Sequence, residues 1–494
     1  MNYISTRNKN IKVSASQAIA QGISKDGGLF VPESIPALSK DDFESLIGMD
    51  YPSRAAFVLK HFLTDFTDEE IEYCVKGAYV GNFDNDQPAP LKTIANNEHI
   101  LELWHGPTCA FKDLALQILP YLLTTSAKKV SGGKETVILV ATSGDTGKAA
   151  LEGFCDVENT KIMVFYPSDG VSAMQKLQMD TQKGENVFVC AIKGNFDDAQ
   201  TGVKKIFTDN EVAAILEKAN MQFSSANSIN WGRLAPQIIY YISAYCDLVK
   251  DGADLSGGFN VVVPTGNFGN ILAAYYAKVM GVPINKLVCA SNANNVLTDF
   301  INTGVYDRNR KFYTTISPSM DILISSNLER MLFEISGRDD ECVAALQKEL
   351  NDNGKYTVSD EIAAKFRKLF YGGCCDDQST MATIKSTFDE CDYLIDTHTA
   401  VAVNVYNSYV KNTGDNRPTV IASTASPYKF ANSVLEALGA ELSGDEFKNA
   451  EMLADITKVE MPKPLAALKN AKPRFKNLCE KQDMVDVVLK NLGL

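Results

Sequence analysis

Metal-binding and disulfide patterns are both missing from this 494-residue chain. It contains four histidines, none at the spacing of a metal site, and its eleven cysteines include no Cys-x-x-Cys pair. The number of cysteines is odd and Cys374 and Cys375 are adjacent, which does not suit a disulfide scaffold. We therefore expect free thiols in a reducing compartment and no metal centre.

Long apolar runs and a positive net charge are missing as well. No run approaches the roughly 18 apolar residues that a membrane span needs, and residues 1–12 are polar, without the core of a signal peptide. The formal net charge of −13 disfavours nucleic acid and anionic membrane surfaces as partners. These features predict a cytoplasmic globular protein that acts on a small molecule.

The first 95 residues carry the spacing of helices rather than of strands. The pattern covers four segments, Ala15–Gln21, Lys40–Ile47, Ser53–Leu63 and Asp68–Lys76. A polar stretch with two prolines, GNFDNDQPAP at residues 81–90, then indicates a boundary. We therefore predict a mainly helical N-terminal domain over residues 1–95.

Beyond residue 95, short β-branched runs alternate with helical patterns. The runs are Thr136–Ala141, Lys161–Tyr166, Asn186–Ile192, Phe259–Val263, Lys286–Ala290, Tyr393–Ile395 and Thr419–Ala422. Continuous apolar strands joined by helices are typical of parallel sheets that are covered on both faces. The predicted fold class is therefore α/β, with two parallel-sheet αβα lobes. The smaller lobe would cover residues 96–240 and the larger one 241–494, with a helical insertion near 305–390.

The loop VPTGNFGN, residues 263–270, lies between a predicted strand and a helix. In open parallel sheets, ligands bind outside the carboxyl ends of the strands. Glycines there let backbone N–H groups approach an anion, and the helix N-terminus adds partial positive charge. The loop fits a phosphate, although Gly266 and Gly269 would also serve in a plain turn.

A second loop, ATSGDTGKAA at residues 141–150, resembles a nucleotide-binding P-loop only superficially. The P-loop motif needs a glycine where this chain has Thr142, and a serine or threonine where it has Ala149. A turn of serine, glycine and threonine offers N–H groups that suit a carboxylate instead.

A third loop, HGPTCAFKD at residues 105–113, places Lys112 between Phe111 and the apolar segment 114–119. Apolar neighbours desolvate an amine and lower its pKa, which favours a lysine that forms an imine. The same local sequence is also typical of a solvated lysine at the start of a helix. The loop alone leaves both interpretations open.

Taken in order, these loops resemble those of one enzyme family. HGPTCAFKD, SGDTGKAA, PTGNFGN and STASPYKF are similar to segments of the threonine synthase family of fold-type-II pyridoxal-phosphate enzymes. The resemblance extends to STRNKN, DGGLFVP and NSINWGRLAPQ, and so spans residues 5–430. Each segment is weakly specific alone, whereas their ordered combination is strongly specific.

The resemblance implies pyridoxal 5′-phosphate as the cofactor and Lys112 as the catalytic lysine that forms a Schiff base with it. It also implies that the cofactor phosphate is bound by Gly266, Asn267, Phe268, Gly269 and Asn270. The family more often has an acidic residue where this chain has Asn270. The pyridine nitrogen would meet the hydroxyl of Thr424, a residue that could otherwise simply end a strand.

The implied reaction converts O-phospho-L-homoserine and water into L-threonine and phosphate by γ-elimination and β-addition, the last step of threonine biosynthesis. Related enzymes hold the substrate carboxylate where this chain has Ser143, Gly144, Asp145 and Thr146. A carboxylate cannot bind another carboxylate, so Asp145 would orient the loop or the cofactor.

The leaving phosphate of this reaction needs cations and neutral donors. Candidates for this role are Lys148, Arg233, Lys429, Ser228 and Asn230, with Arg7 and Arg330 as weaker choices. Each of the cations could equally form an ordinary surface salt bridge.

Three other functions remain open from the sequence. A phospho-lyase of the same scaffold would share the lysine and the phosphate loop but release 2-oxobutyrate. A nucleotide-binding module built around GDTGK fails the P-loop spacing and would have no chromophore. A catalytically silent carrier would hold the cofactor without turnover, and the intact Lys112 argues against it. The sequence is compatible with a monomer or a homodimer.

Overall fold

The computed structural model describes residues 1–84, 86–142, 144–168 and 171–494, without the side chains of residues 196 and 197. Its strands are β1 (Tyr3–Ser5), β2 (Asn8–Val13), β3 (Phe30–Pro32), β4 (Leu91–Ala95), β5 (Glu98–Glu102), β6 (Glu135–Ala141), β7 (Thr160–Pro167), β8 (Val187–Lys193), β9 (Met221–Ser224), β10 (Phe259–Pro264), β11 (Ile284–Ser291), β12 (Val305–Asp307), β13 (Lys355–Thr357), β14 (Phe370–Cys374), β15 (Thr419–Ser423) and β16 (Asn477–Glu480).

The α-helices connect these strands and cover the sheets. They are α1 (Ala15–Gln21), α2 (Lys40–Ile47), α3 (Tyr51–Phe62), α4 (Asp68–Tyr79), α5 (Asp113–Leu116), α6 (Leu119–Val130), α7 (Asp145–Gly153), α8 (Ala173–Asp180), α9 (Phe196–Thr208), α10 (Asn210–Lys218), α11 (Trp231–Lys250), α12 (Gly269–Val279), α13 (Val296–Thr303), α14 (Leu328–Ile335), α15 (Asp340–Asn353), α16 (Asp360–Leu369), α17 (Asp377–Cys391), α18 (Thr397–Thr413), α19 (Ala431–Ala437), α20 (Glu446–Thr457), α21 (Lys463–Ala466) and α22 (Met484–Leu492).

Two sheets form the framework of the molecule. The smaller sheet has the order β16-β8-β7-β6-β9, and all of its strand pairs are parallel. The larger sheet has the order β14-β11-β10-β15-β5-β4, and is parallel except for β4, which runs antiparallel to β5. The prediction of an α/β fold with two parallel sheets is confirmed.

Two strands belong to a different sheet from the one that the predicted domain boundaries imply. β5 belongs to the larger sheet although residues 96–240 were assigned to the smaller lobe, and β16 belongs to the smaller sheet although it follows residue 241. Both pair with partners that are distant in sequence. The predicted helical insertion near 305–390 also contributes β14, whose two glycines weaken its strand pattern.

The predicted strand at Tyr393–Ile395 is wrong. These residues lead into α18, and Asp396 caps that helix by accepting hydrogen bonds from the backbone N–H groups of His398 and Thr399 at 2.9 and 3.0 Å. Leu394 and Ile395 are buried, and this burial explains why the segment is apolar although it forms no strand.

The N-terminal region contains α1–α4 together with a three-stranded antiparallel sheet in the order β2-β1-β3. The helical spacing did not predict this sheet. β1 and β3 are three residues long and buried throughout, so neither shows the alternating pattern of a half-exposed strand.

Helix α11 is apolar around most of its circumference and lies in the middle of the molecule. Sixteen of its twenty residues are buried, which identifies it as a core helix rather than a surface helix. Its first residue, Trp231, packs against Tyr3 of the N-terminal sheet with ring centroids 5.4 Å apart. Because α11 is held in the core, the positions of Arg233, Tyr240 and Tyr241 are fixed. These three residues belong to the site described below.

Within the described residues, no helix is both long enough and apolar enough to cross a membrane. All eleven cysteines are described and none is in a disulfide.

The close contact between α5 and α7 depends on Gly153, because a β-carbon there would overlap the carbonyl oxygen of Leu116. We expect Gly153→Ala to destabilise the fold by about 1–3 kcal/mol through overpacking, measured as a lower midpoint of thermal unfolding. Gly48→Ala is the matched control, since its added β-carbon would meet nothing closer than 3.7 Å. Equal midpoints for the two variants would contradict this packing account.

Candidate active site

Lys112 lies where the third predicted loop meets the end of β15. A single antiparallel bridge pairs Ala110 with Ala425. Beside it, the N–H of Phe111 donates to the carbonyl oxygen of Thr424 at 2.8 Å. This bridge brings Lys112 close to Thr424, although the two residues belong to distant parts of the sequence.

The turn before Lys112 is fixed by Asp113. The N–H and the hydroxyl of Thr108 donate to the two oxygens of Asp113 at 2.8 and 2.7 Å. A β-carbon on Gly106 would lie 2.5 Å from the same carboxyl group. The HGPT and KD residues of the motif therefore form one rigid turn that aims the side chain of Lys112.

The amine of Lys112 faces a buried carboxylate. Its Nζ lies 3.7 Å from Oδ2 of Asp145, at the start of α7. The other oxygen of Asp145, Oδ1, is 2.7 Å from Nζ of Lys429 and accepts a hydrogen bond from Nε2 of Gln175 at 3.0 Å. Two cations thus share one carboxylate.

Burial is the main reason that the pKa of Lys112 lies below its ordinary value. Asp145 opposes this shift, while the positive charges of Lys429 and Arg233 add to it. Burial alone would raise the pKa of Asp145, but Lys429, followed by Lys112 and Gln175, holds it far below the ordinary range. The site therefore makes Lys112 easier to deprotonate than a solvated lysine and keeps Asp145 ionised.

The glycine loop at the end of β10 has the geometry of an anion cradle. The hydroxyl of Ser325 donates to the carbonyl oxygen of Gly266 at 2.8 Å. The N–H of Asn327 donates to the carbonyl of Asn267 at 3.0 Å. These bonds occupy carbonyl groups of the loop. In the described part of the chain, the backbone N–H groups of residues 266–269 have no acceptor.

Two backbone features fix the shape of this loop. A β-carbon on Gly266 would lie 2.8 Å from the carbonyl oxygen of Ser319, so this position requires glycine. Phe268 has a left-handed conformation, with φ of 63°, directly before α12 begins at Gly269. The N-terminus of α12 therefore points its partial positive charge into the cradle.

Asn270 completes the cradle with a side-chain donor. Its Oδ1 accepts hydrogen bonds from the hydroxyls of Tyr240, at 2.9 Å, and Tyr241. Its buried Nδ2 has no partner in the described part of the chain. An orphaned buried amide is costly unless a ligand satisfies it. The unpaired N–H groups and this amide fit the phosphate of the predicted cofactor.

The predicted carboxylate seat lies at the N-terminus of α7. The hydroxyl of Thr142 accepts hydrogen bonds from the N–H groups of Gly144 and Gly147 at 3.0 and 2.9 Å. The N–H groups of Asp145 and Thr146 have no acceptor among the described residues. Ser143 lies outside the described residues.

The predicted cations have different environments. Lys148 forms an ion pair with Glu152 at 2.7 Å and donates to Gln182. Arg233 is buried and donates to the carbonyl of Ala226, while its Nε has no partner in the described part of the chain. Burial lowers the pKa of Arg233 to about 10, so it remains a cation at neutral pH.

The two weaker candidates contact other parts of the protein. Arg7 forms an ion pair with Glu329 at 2.7 Å. Arg330 donates to the carbonyls of Phe30 and Ile229 and to Asn327. Both residues therefore connect the N-terminal region to the neighbourhood of α14.

The two predicted neutral donors also differ. Asn230 caps α11, and its amide donates to the carbonyls of Ile19 and Ser225 at 3.0 Å each, which uses both amide hydrogens. Ser228 lies near the glycine loop, where its hydroxyl is 3.5 Å from that of Ser326 and accepts from Nδ2 of Asn327 at 3.4 Å.

Several residues that the motifs did not indicate support the site. Gln175 holds Asp145, and Asn327 links Ser228 to the glycine loop. His398 accepts a hydrogen bond from the N–H of Ser319 at 3.1 Å, and so holds the segment against which Gly266 packs. In the sequence, only Ser326 and Asn327 stood near a candidate residue, because both belong to the SNLER segment that ends at Arg330.

Comparison with known proteins assigns the family. Residues 2–79 match the family model "Threonine synthase N terminus", residues 95–371 match "Pyridoxal-phosphate dependent enzyme" and residues 399–488 match "Threonine synthase, C-terminal". The chain is 42% identical to human threonine synthase-like 1 over 86% of its own length and 58% of that protein. It is 38% identical to threonine synthase of Pseudomonas aeruginosa, covering 88% of this chain and 90% of the relative.

A solved structure agrees over nearly the whole chain. The pyridoxal-phosphate-bound threonine synthase of Brucella melitensis superposes with a TM-score of 0.89 at 36% identity, covering 99% of each chain. The chain therefore belongs to the pyridoxal-phosphate-dependent enzymes and, within them, to the threonine synthase family. The predicted family, fold type and cofactor are confirmed, while the roles of individual site residues stay predictions.

Proposed function

We propose that this protein is a threonine synthase, which converts O-phospho-L-homoserine and water into L-threonine and phosphate. The observation that carries this proposal is a desolvated amine, Lys112, which lies beside the carboxylate of Asp145 and near the buried cations Lys429 and Arg233. The chain spans only 58% of the length of human threonine synthase-like 1. The activity proposed for this chain therefore rests on its own site. Threonine synthases at 38% and 36% identity support the same reaction.

The cofactor would be held by three parts of the site. The N–H groups of residues 266–269 and the amide of Asn270 would bind its phosphate, and Thr424 would meet its pyridine nitrogen. When bound, pyridoxal phosphate supplies an electrophilic carbon and a conjugated ring that accepts an electron pair from the substrate. Lys112 would supply the amine that bonds to it covalently.

Lys112 would then act as the proton carrier of the reaction. Its depressed pKa favours the neutral amine, which can take a proton from Cα and later from Cβ. The Cγ–O bond breaks and phosphate leaves with the bonding electrons. Protonation at Cγ, addition of water at Cβ and return of a proton to Cα complete threonine, and the proton left over from water goes to the released phosphate. A single flexible lysine can reach these adjacent carbons in turn.

The remaining residues would bind the two anionic ends of the substrate. The free N–H groups at the start of α7 suit the carboxylate, with Gly144, Asp145 and Thr146 forming the turn. Arg233 and Ser228 suit the phosphate, since the buried Nε of Arg233 has no partner among the residues that the structure describes. Lys148 already pairs with Glu152, which makes it a secondary candidate.

The compartment and assembly that we propose are those that the sequence predicts. We propose that the protein works in the cytoplasm, where its eleven free thiols would stay reduced. We propose a monomer or a homodimer as its assembly.

Product analysis tests the proposed reaction. The loaded enzyme should release threonine and phosphate from O-phospho-L-homoserine in equal amounts, measured by mass spectrometry and a phosphate assay. Lys112→Ala should lower the rate by about a thousandfold, because the proton carrier is lost. Borohydride should fix the cofactor to Lys112 in the wild type only. Release of 2-oxobutyrate and ammonia in place of threonine would contradict the proposal and identify a phospho-lyase.

Substrate binding by Arg233 is a separate expectation. Arg233→Met should raise the KM for O-phospho-L-homoserine by roughly tenfold or more, the value of a hydrogen bond to a charged group, with a smaller effect on kcat. Arg233→Lys should restore part of the loss. Lys148→Met should raise KM less, because its ammonium is already held by Glu152 and Gln182. Equal effects of the two methionine variants would contradict this ranking.

A further inference from the structure

Lys429 lies in the STASPYKF segment, in the 3₁₀ turn Pro427–Phe430 that follows β15. Its side chain is completely buried. The ammonium is 2.7 Å from Oδ1 of Asp145 and donates to the carbonyl oxygen of Thr108 at 2.8 Å. The sequence indicated Lys429 as a ligand of the substrate phosphate, but in the structure its ammonium contacts Asp145 and Thr108 of the protein itself.

The two oxygens of Asp145 have different partners. Oδ1 accepts from Lys429 and from Gln175, whereas Oδ2 faces the amine of Lys112 at 3.7 Å. Rotation of the carboxylate would break two hydrogen bonds at Oδ1. The geometry therefore prevents Asp145 from turning both oxygens toward Lys112.

The three charged residues also come from different parts of the fold. Asp145 begins α7, which follows β6 of the smaller sheet, and Lys429 follows β15 of the larger sheet. Lys112 precedes α5, which packs on α7. The bond from Lys429 to Thr108 reaches the turn that aims Lys112, so Lys429 connects all three segments.

We propose that Lys429 is a positioning residue of the reaction centre, which holds Asp145 ionised through Oδ1 so that Oδ2 remains beside the Lys112 amine. This inference rests on the proposed function only in taking Lys112 as the reacting amine. Lys429 compensates part of the negative charge of Asp145. Lys112 therefore has a counter-ion without being held as a permanently protonated ammonium.

Other titratable groups border the cluster and would remain in any variant. Arg233 adds positive charge near Lys112. Asp113 lies on the other side of Thr108, and burial raises its pKa to about 6. Burial also raises the pKa of Cys109 beyond the physiological range, so this thiol stays neutral. The charge of Lys429 also lowers the pKa of Asp113, so removal of Lys429 shifts the pKa of this carboxyl upward, in the same direction as that of Lys112.

The test is the pH titration of the visible absorption band of the cofactor-loaded protein, which reports protonation at the nitrogen of Lys112. Lys429→Met keeps the apolar stem and removes the charge, so Asp145 acts on Lys112 without compensation. The midpoint should rise by about one pH unit, at the low end of shifts caused by a close charge. The acid limb of the kcat profile should move in the same direction. Lys429→Arg should return the midpoint toward the wild-type value.

Arg54→Met is the matched control, because it breaks another buried ion pair, to Asp247 at 2.8 Å, away from Lys112. It should lower the unfolding midpoint without moving the spectral titration. A folded K429M protein whose titration midpoint stays within about 0.2 unit of the wild type, well below the shift from a close charge, would overturn the proposal.

If K429M does not fold, Lys429→Gln keeps a hydrogen-bond donor at this position and removes only the charge. Its spectral midpoint should rise above that of the wild type, as expected for K429M, and an unchanged midpoint would overturn the proposal. This titration does not depend on the product that the enzyme forms. A failure of the positioning role is therefore distinguishable from a failure to make threonine.

Discussion

The desolvation of the largely buried Lys112 amine is the constraint on which the rest of the site depends. A proton carrier must be shielded from water to be readily deprotonated, yet an unpaired buried charge costs several kcal/mol. Asp145 satisfies both demands, because it lies 3.7 Å from Lys112 while a second cation, Lys429, holds it at 2.7 Å. Lys429 and Arg233 thus place two buried cations near the Lys112 amine, which suits anionic ligands in a chain whose formal net charge is −13.

The fold supplies this arrangement by joining strand ends from both sheets. The loop after β6 carries Asp145, the loop after β10 forms the anion cradle and the loop after β15 carries Thr424 and Lys429. Helix α11 passes through the core and adds Arg233 and the two tyrosine hydroxyls that orient Asn270. Each residue is therefore held by a rigid element, and its side chain has little freedom to leave the centre.

The sequence was sufficient for features that one loop determines by itself. The glycines of the loop at 263–270 act locally, so an anion site could be predicted there, whereas the apolar neighbours of Lys112 left its role open until the ordered motifs were found to resemble those of a known family. Contacts between distant segments could not be predicted. Lys429 and Asp145 come together through the arrangement of both sheets, which the sequence does not show. Asn230 carries the same amide group whether it caps a helix or binds a ligand, so its residue type could not decide between the two roles. For the same reason, β5 lies in a sheet that its position in the sequence did not indicate.

Oxygen labelling tests the central claim most directly, namely that this centre breaks a carbon–oxygen bond and adds water to the adjacent carbon. The enzyme would convert O-phospho-L-homoserine in water enriched in ¹⁸O, and mass spectrometry would follow both products. The account predicts one heavy oxygen in the hydroxyl group of threonine and none in the phosphate as it is released. Heavy oxygen in the phosphate, with homoserine as the other product, would show cleavage of the phosphorus–oxygen bond and contradict the account.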